Sequence, residues 1–544
     1  MDLLSPALSS LREEREKTSL TDSFYRTRRE PSGLPRCDPL TTLPPRLMPA
    51  THNSNSESRA PHGGSGLVPS LSLFTTVMIV VGGVIGSGIF RKPGVMAGQV
   101  GSTEILLGVW ILAGVLTLIG ALCIAEISAT LPETGGQYAQ FDNLYGPFVA
   151  YLYGWAVFAV MQTGSIAALA YVFSEYATQF VRLPEITGPA AAFAIHLPFI
   201  GDISPLKEIG VKGLATCVIL LLTAINYLGT RFGGWVQNIF TIAKISGMAV
   251  LFLAAFLLPS GGTLANLRSD NPAVQLQGLA LWAAIAAALQ GAFWAYDGWN
   301  KVTYIAGEVR DPVRNVPRSL VLGMTAVTLI YVSMNIAYAY VLPNEVMSQS
   351  KLVAADVAEK CVSGGGKWIA LVVMISTFGA ANATILASAR VYFSMAHRNV
   401  FPKVLGVVHP RFHTPAAALI VQALWSIMLL FSGTFDTLTD TLIFVSWFFN
   451  AATAYGVIVL RRREPNAHRP YKAPGYPYLP ILFVLFAIIY LILTIYYDIT
   501  SYQAAVAAGR PAIINSALGA FLVGVGIPIY FFYRKRAKSR TDAV

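Results

Sequence analysis

Charged side chains are scarce in this sequence. Of its 544 residues, 12% are Asp, Glu, Lys or Arg, whereas 54% are hydrophobic, and the mean hydropathy is +0.56. Soluble globular domains carry about 25% charged residues, and a soluble chain of this length would divide into domains of roughly 150 residues. The composition excludes that arrangement because too few polar residues are present to cover a surface facing water. Lipid must therefore surround most of the chain.

Cysteine and histidine are also few. The four cysteines, Cys37, Cys123, Cys217 and Cys361, form no CxxC pair and no other metal-like spacing. Cys123 and Cys217 lie in apolar runs, where we expect small packed residues. The seven histidines fall in predicted tails, loops or helix ends, and no base and nucleophile pair is found. The sequence thus predicts no disulfide framework, metal or cofactor, and it disfavours an integral membrane enzyme, the alternative of a different class.

Long apolar runs are abundant, and twelve of them approach the ~20 residues that span hydrocarbon as a helix. An apolar stretch at 189–201 is too short to span and contains Pro198, so we expect a loop there. The count depends on a division near Gly433, which separates the ninth run from the tenth. The predicted fold is an all-α integral membrane protein with twelve transmembrane helices, at 71–90, 105–127, 148–171, 211–228, 236–258, 280–305, 321–342, 368–393, 416–435, 438–460, 479–497 and 514–533.

Basic residues predict the orientation of these helices. Twelve spans place both termini on one side, where the loops and the C-terminal end carry 18 Lys and Arg and the N-terminal region adds nine, against ten on the opposite side. Because Lys and Arg are in excess on the cytoplasmic side, we expect cytoplasmic termini and a multi-pass protein of the cell membrane. Arg91 and Lys92, expected in the loop after the first run, do not fit this pattern. The formal net charge of +11 comes from clusters between apolar runs and not from a basic face with aromatics, so no nucleic-acid partner is predicted.

Glycines interrupt the first and sixth runs. The first, MIVVGGVIGSGIF, has glycines at 82, 83, 86 and 88, and the sixth, LQGAFWAYDGWN, has Gly291, Asp297 and Gly298 in mid-span. Interruptions at matching positions of two five-helix halves point to an inverted-repeat transporter with a site at the midplane. Unwound backbone offers N–H groups to a carboxylate and carbonyls to an ammonium, the two charged groups of an amino acid. The alternative is that Gly86 and Gly88 only let two helices pack closely. A dinucleotide-binding loop is a poorer fit, because Arg91 stands where its third glycine would be.

Four motifs follow one another in this chain: IGSGIFRKPG, PETGGQYAQFDNLYG, WAYDGWN and EVRDPVRNVPRS. Together they resemble the amino acid-polyamine-organocation superfamily, and within it the L-amino-acid transporter branch that includes the light chains of heteromeric exchangers. The resemblance covers about residues 68–465. It implies the leucine-transporter-type fold, with two inverted five-helix repeats, broken helices 1 and 6, and two further helices. It also implies sodium-independent transport of L-amino acids by alternating access, as an exchanger or as a proton-coupled or facilitated carrier.

This organisation divides the chain into four predicted parts. Residues 1–66 are polar, rich in Ser, Pro and Arg, and predict a disordered cytoplasmic tail without the apolar region of a signal peptide. Met48 is a second candidate initiator. Residues 67–465 are the predicted transport core, 466–533 hold helices 11 and 12, and 534–544 form a cytoplasmic C-terminal tail.

The resemblance implies a substrate site at the two interruptions. The substrate carboxylate would bind at the start of the second half of helix 1, and the amino group would bind backbone carbonyls of both broken helices. The residues concerned are Gly86, Ser87 and Gly88 for the carboxylate, and the carbonyls near Val84 and Ile85 and of Trp294 and Asp297 for the amino group.

Four side chains near this site are further candidates. Trp294 stands where the family places an aromatic gate over the substrate, with an ordinary packed aromatic as the alternative. Asp297 would either contact the substrate side chain and favour cationic or small polar ones, or cap the second half of helix 6. Asn300 and Tyr331 match positions where the family places polar groups in or behind the site.

Lys244, in NIFTIAKISGMAV of the fifth run, is an ionisable residue in mid-span. It lies about eight residues inside its run, or ~12 Å at about 1.5 Å per residue, which is too deep for easy snorkelling, the alternative role. The resemblance implies that its ammonium occupies the space that Na⁺ fills in sodium-coupled relatives of this fold. Glu126, at the end of the second run, is predicted to be structural, and Lys301 receives no role.

The predicted partners are an amino acid substrate and membrane lipid. In the resembling light chains a Cys between helices 3 and 4 bonds a heavy chain, but residues 172–210 contain no Cys here, so no disulfide-linked heavy subunit is expected. A polyamine or cationic amino acid carrier of the same fold is the alternative substrate class. Asp297 alone is a thin basis for it, because a polyamine site would pair several acids with its ammonium groups. A channel fits poorly, since no span is repeatedly polar on one face.

Overall fold

The first apolar run forms two helices. The computed structural model describes residues 71–131, 136–186, 193–228, 233–259, 261–412 and 414–541, so the predicted tail at 1–66 lies outside the described residues. Helix α1 comprises Leu73–Val84 and begins at a cap in which the Ser72 side chain accepts from the Thr75 N–H. Helix α2 comprises Gly88–Val100 and ends at Gly101, which has a left-handed backbone. The run is thus interrupted at 85–87, where the glycines predict it.

Arg91 and Lys92 lie inside α2, and their predicted place in an outer loop is wrong. Both side chains are buried. The sequence pattern could not show this because the helix continues ten residues beyond the end of the apolar run at 90, and acids from distant helices neutralise the two cations.

The sixth run is interrupted in the same way. Helix α9 comprises Gly278–Ala295, and a 3₁₀ helix at Trp299–Glu308 follows it. Gly298 separates the two with φ 101°, a value that only glycine adopts without strain. Gly298 thus occupies the cap position, and the carboxylate of Asp297, the residue before it, accepts from the Gly298 N–H.

Eleven helical stretches of the described residues are long and apolar enough to cross a membrane. The predicted ninth run, 416–435, forms a helix of 17 residues, which is shorter than those eleven stretches. This helix ends at Gly433, where the sequence predicts the boundary between the ninth and tenth runs. The remaining α-helices are α3 Thr103–Thr130, α4 Gln137–Tyr145, α5 Pro147–Ala156, α6 Gln162–Ala177, α7 Ile209–Leu228, α8 Gly233–Leu257, α10 Pro312–Val341, α11 Asn344–Gln349, α12 Val353–Cys361, α13 Gly365–His397, α14 Ala416–Ser432, α15 Phe435–Arg463, α16 Tyr478–Ala507, α17 Asn515–Gly524 and α18 Gly526–Thr541.

Burial separates central helices from peripheral ones. A π-helical turn at Val157–Met161 joins α5 to α6, and 94% of the most apolar 18 residues of this continuous span are buried. Of the most apolar 18 residues of α16, 28% are buried, and Leu485, Ile489 and Ile492 are exposed. Apolar side chains turned outward in this way suit a helix that contacts lipid.

Smaller features depart from the sequence pattern. The loop expected at 189–201 contains part of an antiparallel hairpin, β1 Ile195–Leu197 with β2 Gly201–Ile203. Two short 3₁₀ helices lie at Leu264–Arg268 and Lys403–Gly406. Cys123 is buried as expected, but Cys217 is exposed on α7, because that face of the helix points away from the protein.

The helices around the two interruptions form pairs. Helix α9 packs on α2, whereas the 3₁₀ helix after α9 packs on α1. The second half of one broken helix therefore lies beside the first half of the other, and the two broken helices run antiparallel past the interruptions. Helices α8, α10 and α13 also contact α1.

Candidate functional site

A small cavity lies where the two interruptions meet. Backbone of the first broken helix forms one side, and residues of the second broken helix and of α6 and α13 form the rest. The lining residues are Gly83, Val84, Gly86, Ser87, Gly88, Ser165, Leu169, Trp294, Asp297, Lys301 and Ala380.

Two glycines allow the broken helices to approach each other. A Cβ on Gly88 would lie 2.4 Å from Cα of Ala295 in α9, and a Cβ on Gly298 would lie 2.6 Å from the carbonyl oxygen of Gly83. Both contacts are with backbone, which cannot move aside as a flexible side chain could. The packing role considered for Gly88 in the sequence is therefore real, and the same contact places α2 at the cavity wall.

The start of α2 is suited to an anion. The Ser87 carbonyl accepts from the N–H groups of Phe90 and Arg91, which begins the helix, and the first N–H groups of a helix have no partner within it. The Trp294 indole N–H donates to Ser87 Oγ over 3.3 Å, so the indole and the hydroxyl meet at the cavity. These free N–H groups and the positive end of the helix dipole can hold a carboxylate.

Lys244 occupies the space behind the first interruption. Its Nζ donates to the carbonyl oxygens of Gly82 over 3.0 Å and Ile85 over 2.7 Å. The Ser376 hydroxyl of α13 donates to the same Ile85 carbonyl over 3.4 Å. Lys244 is 1% exposed, so this ammonium satisfies carbonyls that the interruption leaves without helical donors and does not snorkel.

Tyr331 of α10 connects the two broken helices. Its hydroxyl lies 3.1 Å from the carbonyl oxygen of Val84 and 3.0 Å from that of Ala295, and it can donate to either. The carbonyls of Val84 and Ile85, expected near the amino group of the substrate, thus already have protein donors. Each oxygen retains a second lone pair for another donor.

Asp297 and Lys301 are the charged side chains in the cavity lining. The Lys301 Nζ donates to Thr384 Oγ1 of α13 over 3.0 Å, and the charge of Asp297 attracts that of Lys301. Asp297 also borders a second small cavity, between α3, α15 and α16, which Asn450 and Ser446 line as well.

The Lys92 cluster, defined as Arg91, Lys92, Glu175, Asp436 and Asp440, lies beyond the cavity on the α2 side. Lys92 Nζ lies 2.7 Å from Asp436 Oδ1 and 3.0 Å from Asp440 Oδ1. Arg91 Nε lies 3.0 Å from Glu175 Oε2. These ion pairs join α2 to α6 and α15.

An aromatic layer separates that cluster from the cavity. The Phe435 ring lies under both cations, 5.1 Å from Lys92 Nζ, and meets Trp294 edge to face at 6.0 Å. On this side the cavity is therefore covered first by aromatic rings and then by ion pairs.

The Gln137 cluster, defined as Gln137, Tyr153, Asn300, Tyr304 and Thr453, lies on the opposite side, along the 3₁₀ helix. Gln137 Oε1 accepts from Asn300 Nδ2 over 2.7 Å and from the Tyr153 hydroxyl over 2.8 Å. Its Nε2 donates to Thr453 Oγ1 over 3.0 Å, and the Tyr153 and Tyr304 hydroxyls lie 2.9 Å apart. Hydrogen bonds thus join α4, α5, α15 and the 3₁₀ helix.

The structure sorts the residues predicted for the site into two groups. Those at the cavity wall are Val84, Gly86, Ser87, Gly88, Trp294 and Asp297, and those behind it, in contact with the same helices, are Ile85, Lys244, Asn300 and Tyr331. Sequence reasoning missed Ser165 and Leu169, because α6 has no interruption to mark it. Gln137 stands within a quoted motif and Lys301 was named by itself, but neither was given a role.

Other polar groups are structural. Glu126 is fully buried and accepts from Arg461 and from the Ala473 N–H, each over 2.7 Å, as its predicted structural role requires. In the part of the chain that the structure describes, no group of three or more His, Cys, Asp and Glu is placed to hold a metal ion.

Comparison with known proteins gives concordant matches. The sequence model of the amino acid permease family matches residues 71–522. The b(0,+)-type amino acid transporter 1 of Mus musculus is 33% identical over 424 residues, which cover 78% of this chain and 82% of that protein. The large neutral amino acids transporter small subunit 2 of Homo sapiens is 30% identical over 513 residues, covering 91% of this chain and 89% of that protein.

Proposed function

The chain belongs to the amino acid permease family, and from that membership we propose how it works. It is a multi-pass membrane transporter of amino acids and not an enzyme. We propose that it moves L-amino acids across the cell membrane by sodium-independent alternating access, with two inverted five-helix repeats and both termini in the cytoplasm. Eleven of the twelve spans of this topology are the long apolar helical stretches, and the remaining one, ninth in chain order, is the short helix α14 with its flanking residues.

The contact of Lys244 with the first interruption carries this proposal. A cation at this place holds the carbonyls of Gly82 and Ile85 and ties α1 to α8. A Na⁺ ion would have to provide the same stabilisation from outside the chain. Because the ammonium is covalently attached, the site is complete in sodium-free solution.

The cavity fits an amino acid in one orientation. The substrate carboxylate binds the first N–H groups of α2, with the Ser87 hydroxyl beside it. The amino group binds backbone carbonyls at the interruptions, with Val84 and Trp294 as the candidates nearest the cavity. The side chain then extends toward Asp297 and Lys301, and Trp294 closes over it.

The two clusters serve as alternate barriers. Opening toward the α2 side requires the ion pairs of the Lys92 cluster to separate, and opening toward the other side requires the hydrogen bonds of the Gln137 cluster to break. With the N-terminus cytoplasmic, the Lys92 cluster faces outward and the Gln137 cluster inward. Alternating access follows if only one barrier opens at a time.

The chain acts without a disulfide-linked heavy subunit. One relative bears the name of a small subunit, but residues 172–210 of this chain contain no Cys. Electrophoresis of the membrane protein with and without reductant should give the same mobility. A larger complex that reductant dissolves would contradict this expectation.

Uptake into proteoliposomes tests the proposed function. The purified chain should accumulate labelled L-amino acids in choline chloride as well as in sodium chloride, within about twofold. Vesicles preloaded with unlabelled amino acid, and vesicles with an imposed pH gradient, separate exchange from proton coupling. Strict dependence on Na⁺, or the absence of uptake for every amino acid tried, would overturn the proposal.

A further inference from the structure

Lys301 lies in the cavity where the two broken helices meet, and its side chain donates to α13. It is one turn beyond Asp297, in the first turn of the 3₁₀ helix, and borders the same cavity as Ser87 and Trp294. Its Nζ donates to Thr384 Oγ1 over 3.0 Å. It also lies close to Gly298, the residue that separates α9 from the 3₁₀ helix. The ammonium is thus fixed at the wall and is not directed out to solvent.

An acid and a base of opposite charge border the cavity together. Asp297 and Lys301 line it four positions apart in the sequence, and their charges attract each other. Lys244 lies behind the wall and is itself repelled by Lys301. The region that receives the substrate side chain therefore has no surplus negative charge.

This balance determines which side chains fit. A cationic side chain reaching Asp297 would bring its charge beside Lys301, with Lys244 as a second like charge nearby. Charges interact strongly at a site removed from water, so this repulsion is large. An uncharged substrate side chain adds no charge beside Asp297 and Lys301, so the attraction between these two residues stays intact.

We propose that Lys301 determines charge selectivity in this transporter: it neutralises Asp297, excludes cationic amino acids and polyamines, and confines the substrates to amino acids with uncharged side chains. This inference rests on the proposed transport function and names the substrate class of the same cavity. Asp297 without Lys301 would attract cationic side chains, and Lys301 without Asp297 would attract acidic ones.

Competition experiments in proteoliposomes test this assignment. Uptake of labelled leucine by the wild type should be inhibited by unlabelled neutral amino acids, and little by arginine, lysine or putrescine. Lys301→Gln should lower the arginine concentration needed for half-inhibition at least tenfold, and the double variant Lys301→Gln with Asp297→Asn should lose that gain. Lys367→Gln removes an exposed lysine and should keep the wild-type pattern.

A second variant covers the case in which Lys301→Gln does not fold. Asp297→Asn alone should make glutamate a competitor at least tenfold more effective than it is for the wild type. Ligand-induced shifts in melting temperature of the purified variants measure the same preference without transport. Wild-type selectivity in both single variants, or strong inhibition of the wild type by arginine, would overturn the assignment of Lys301. Absence of any amino acid uptake by the wild type would instead refute the proposed function.

Discussion

Lys244 Nζ lies 2.7 Å from the carbonyl oxygen of Ile85, at the residue where α1 ends and the chain unwinds toward α2. The two residues are far apart in sequence, yet a single hydrogen bond joins a scaffold helix to the interruption. The carbonyl of Gly82 shares the same ammonium. This arrangement makes the shape of the first broken helix depend on one side chain.

Replacement of Lys244 by Ala should reduce sodium-free amino acid uptake at least tenfold, because two buried carbonyls lose a charged donor. Uptake into proteoliposomes in sodium and in choline solutions measures the effect. Lys360→Ala, at an exposed lysine, serves as the control. Full activity of Lys244→Ala with unchanged apparent affinity would disprove the role given to this residue.

Replacement of Ser87 by Leu should abolish uptake, because a larger apolar side chain would fill the space at the start of α2 where the carboxylate binds. The variant should remain folded, as judged by size-exclusion chromatography. If uptake were unimpaired, the interruption of the first helix would be a packing feature only.

Replacement of Gly88 by Ala should lower the melting temperature and the uptake, since the new methyl group would meet Ala295 Cα at 2.4 Å. Gly98→Ala in the same helix is a matched control, because its Cβ would lie 3.6 Å from Ser348 Cβ, an ordinary contact. Ala also favours a helix by about 1 kcal/mol over Gly. Gly98→Ala should therefore be neutral or stabilising, and equal behaviour of the two variants would contradict the close approach of the broken helices.

Replacement of Tyr331 by Phe should destabilise the protein by about 1–3 kcal/mol, the usual cost of leaving a buried polar group without its partner. Thermal unfolding in detergent measures the loss. Tyr338→Phe is the control about two turns along α10, because the Tyr338 hydroxyl is buried without a hydrogen-bond partner in the described structure. A Tyr331 variant as stable as the Tyr338 variant would remove the proposed link between the broken helices.

Replacement of Lys92 by Met should cost about 1–3 kcal/mol, because it removes the charged donor of Asp440 and leaves Asp436 with Arg91, 3.8 Å away. Both carboxylates are partly exposed, so the cost stays below that of breaking a fully buried pair. Adding Asp436→Asn should restore part of the loss. The exposed pair of Arg268 and Glu104, 3.8 Å apart, gives the comparison, since Arg268→Met should cost about 1 kcal/mol or less. Melting temperatures of these three variants and of the wild type test whether the Lys92 cluster is a coupled network or a set of independent pairs.

Replacement of Gln137 by Leu should lower the maximal uptake rate more than it changes KM. Gln137 contacts Asn300 and Tyr153 but does not line the cavity, so the barrier is altered and the binding site is not. Gln140→Leu changes another buried glutamine of the same helix, bonded to Ser128. An equal effect of both variants would show that the loss comes from α4 as a whole.

Local sequence was sufficient to predict where the helices break. Gly86, Gly88 and Gly298 are weak helix formers at positions where the chain unwinds or where two backbones meet. Eleven of the twelve apolar runs coincide with described helical stretches long enough to cross a membrane, and the ninth coincides with the shorter α14. Lys244 was recognised by its depth in a run, since a mid-span ammonium needs a partner.

Partners distant in sequence were beyond the reach of such patterns. The carboxylates that neutralise Arg91 and Lys92 lie on α6 and α15, so a charge count placed both residues in a loop. Lys301 could be given no role because its significance depends on a shared cavity with Asp297. Ser165 borders the site from α6, which carries no cluster of glycines to mark it in the sequence.

The ion pairs of α2 also constrain how the protein is made. Lys92 and Asp436 are separated by 344 residues, so at about 5–20 residues per second the ribosome needs roughly 20–70 s to synthesise the partner after the lysine. Until then Lys92 is without the α15 carboxylates that later hold it, whereas Glu175, the partner of Arg91, follows that residue by only 84 positions. The contact of α2 with α6 can therefore form early, and the contact of α2 with α15 forms only after the C-terminal half has been made.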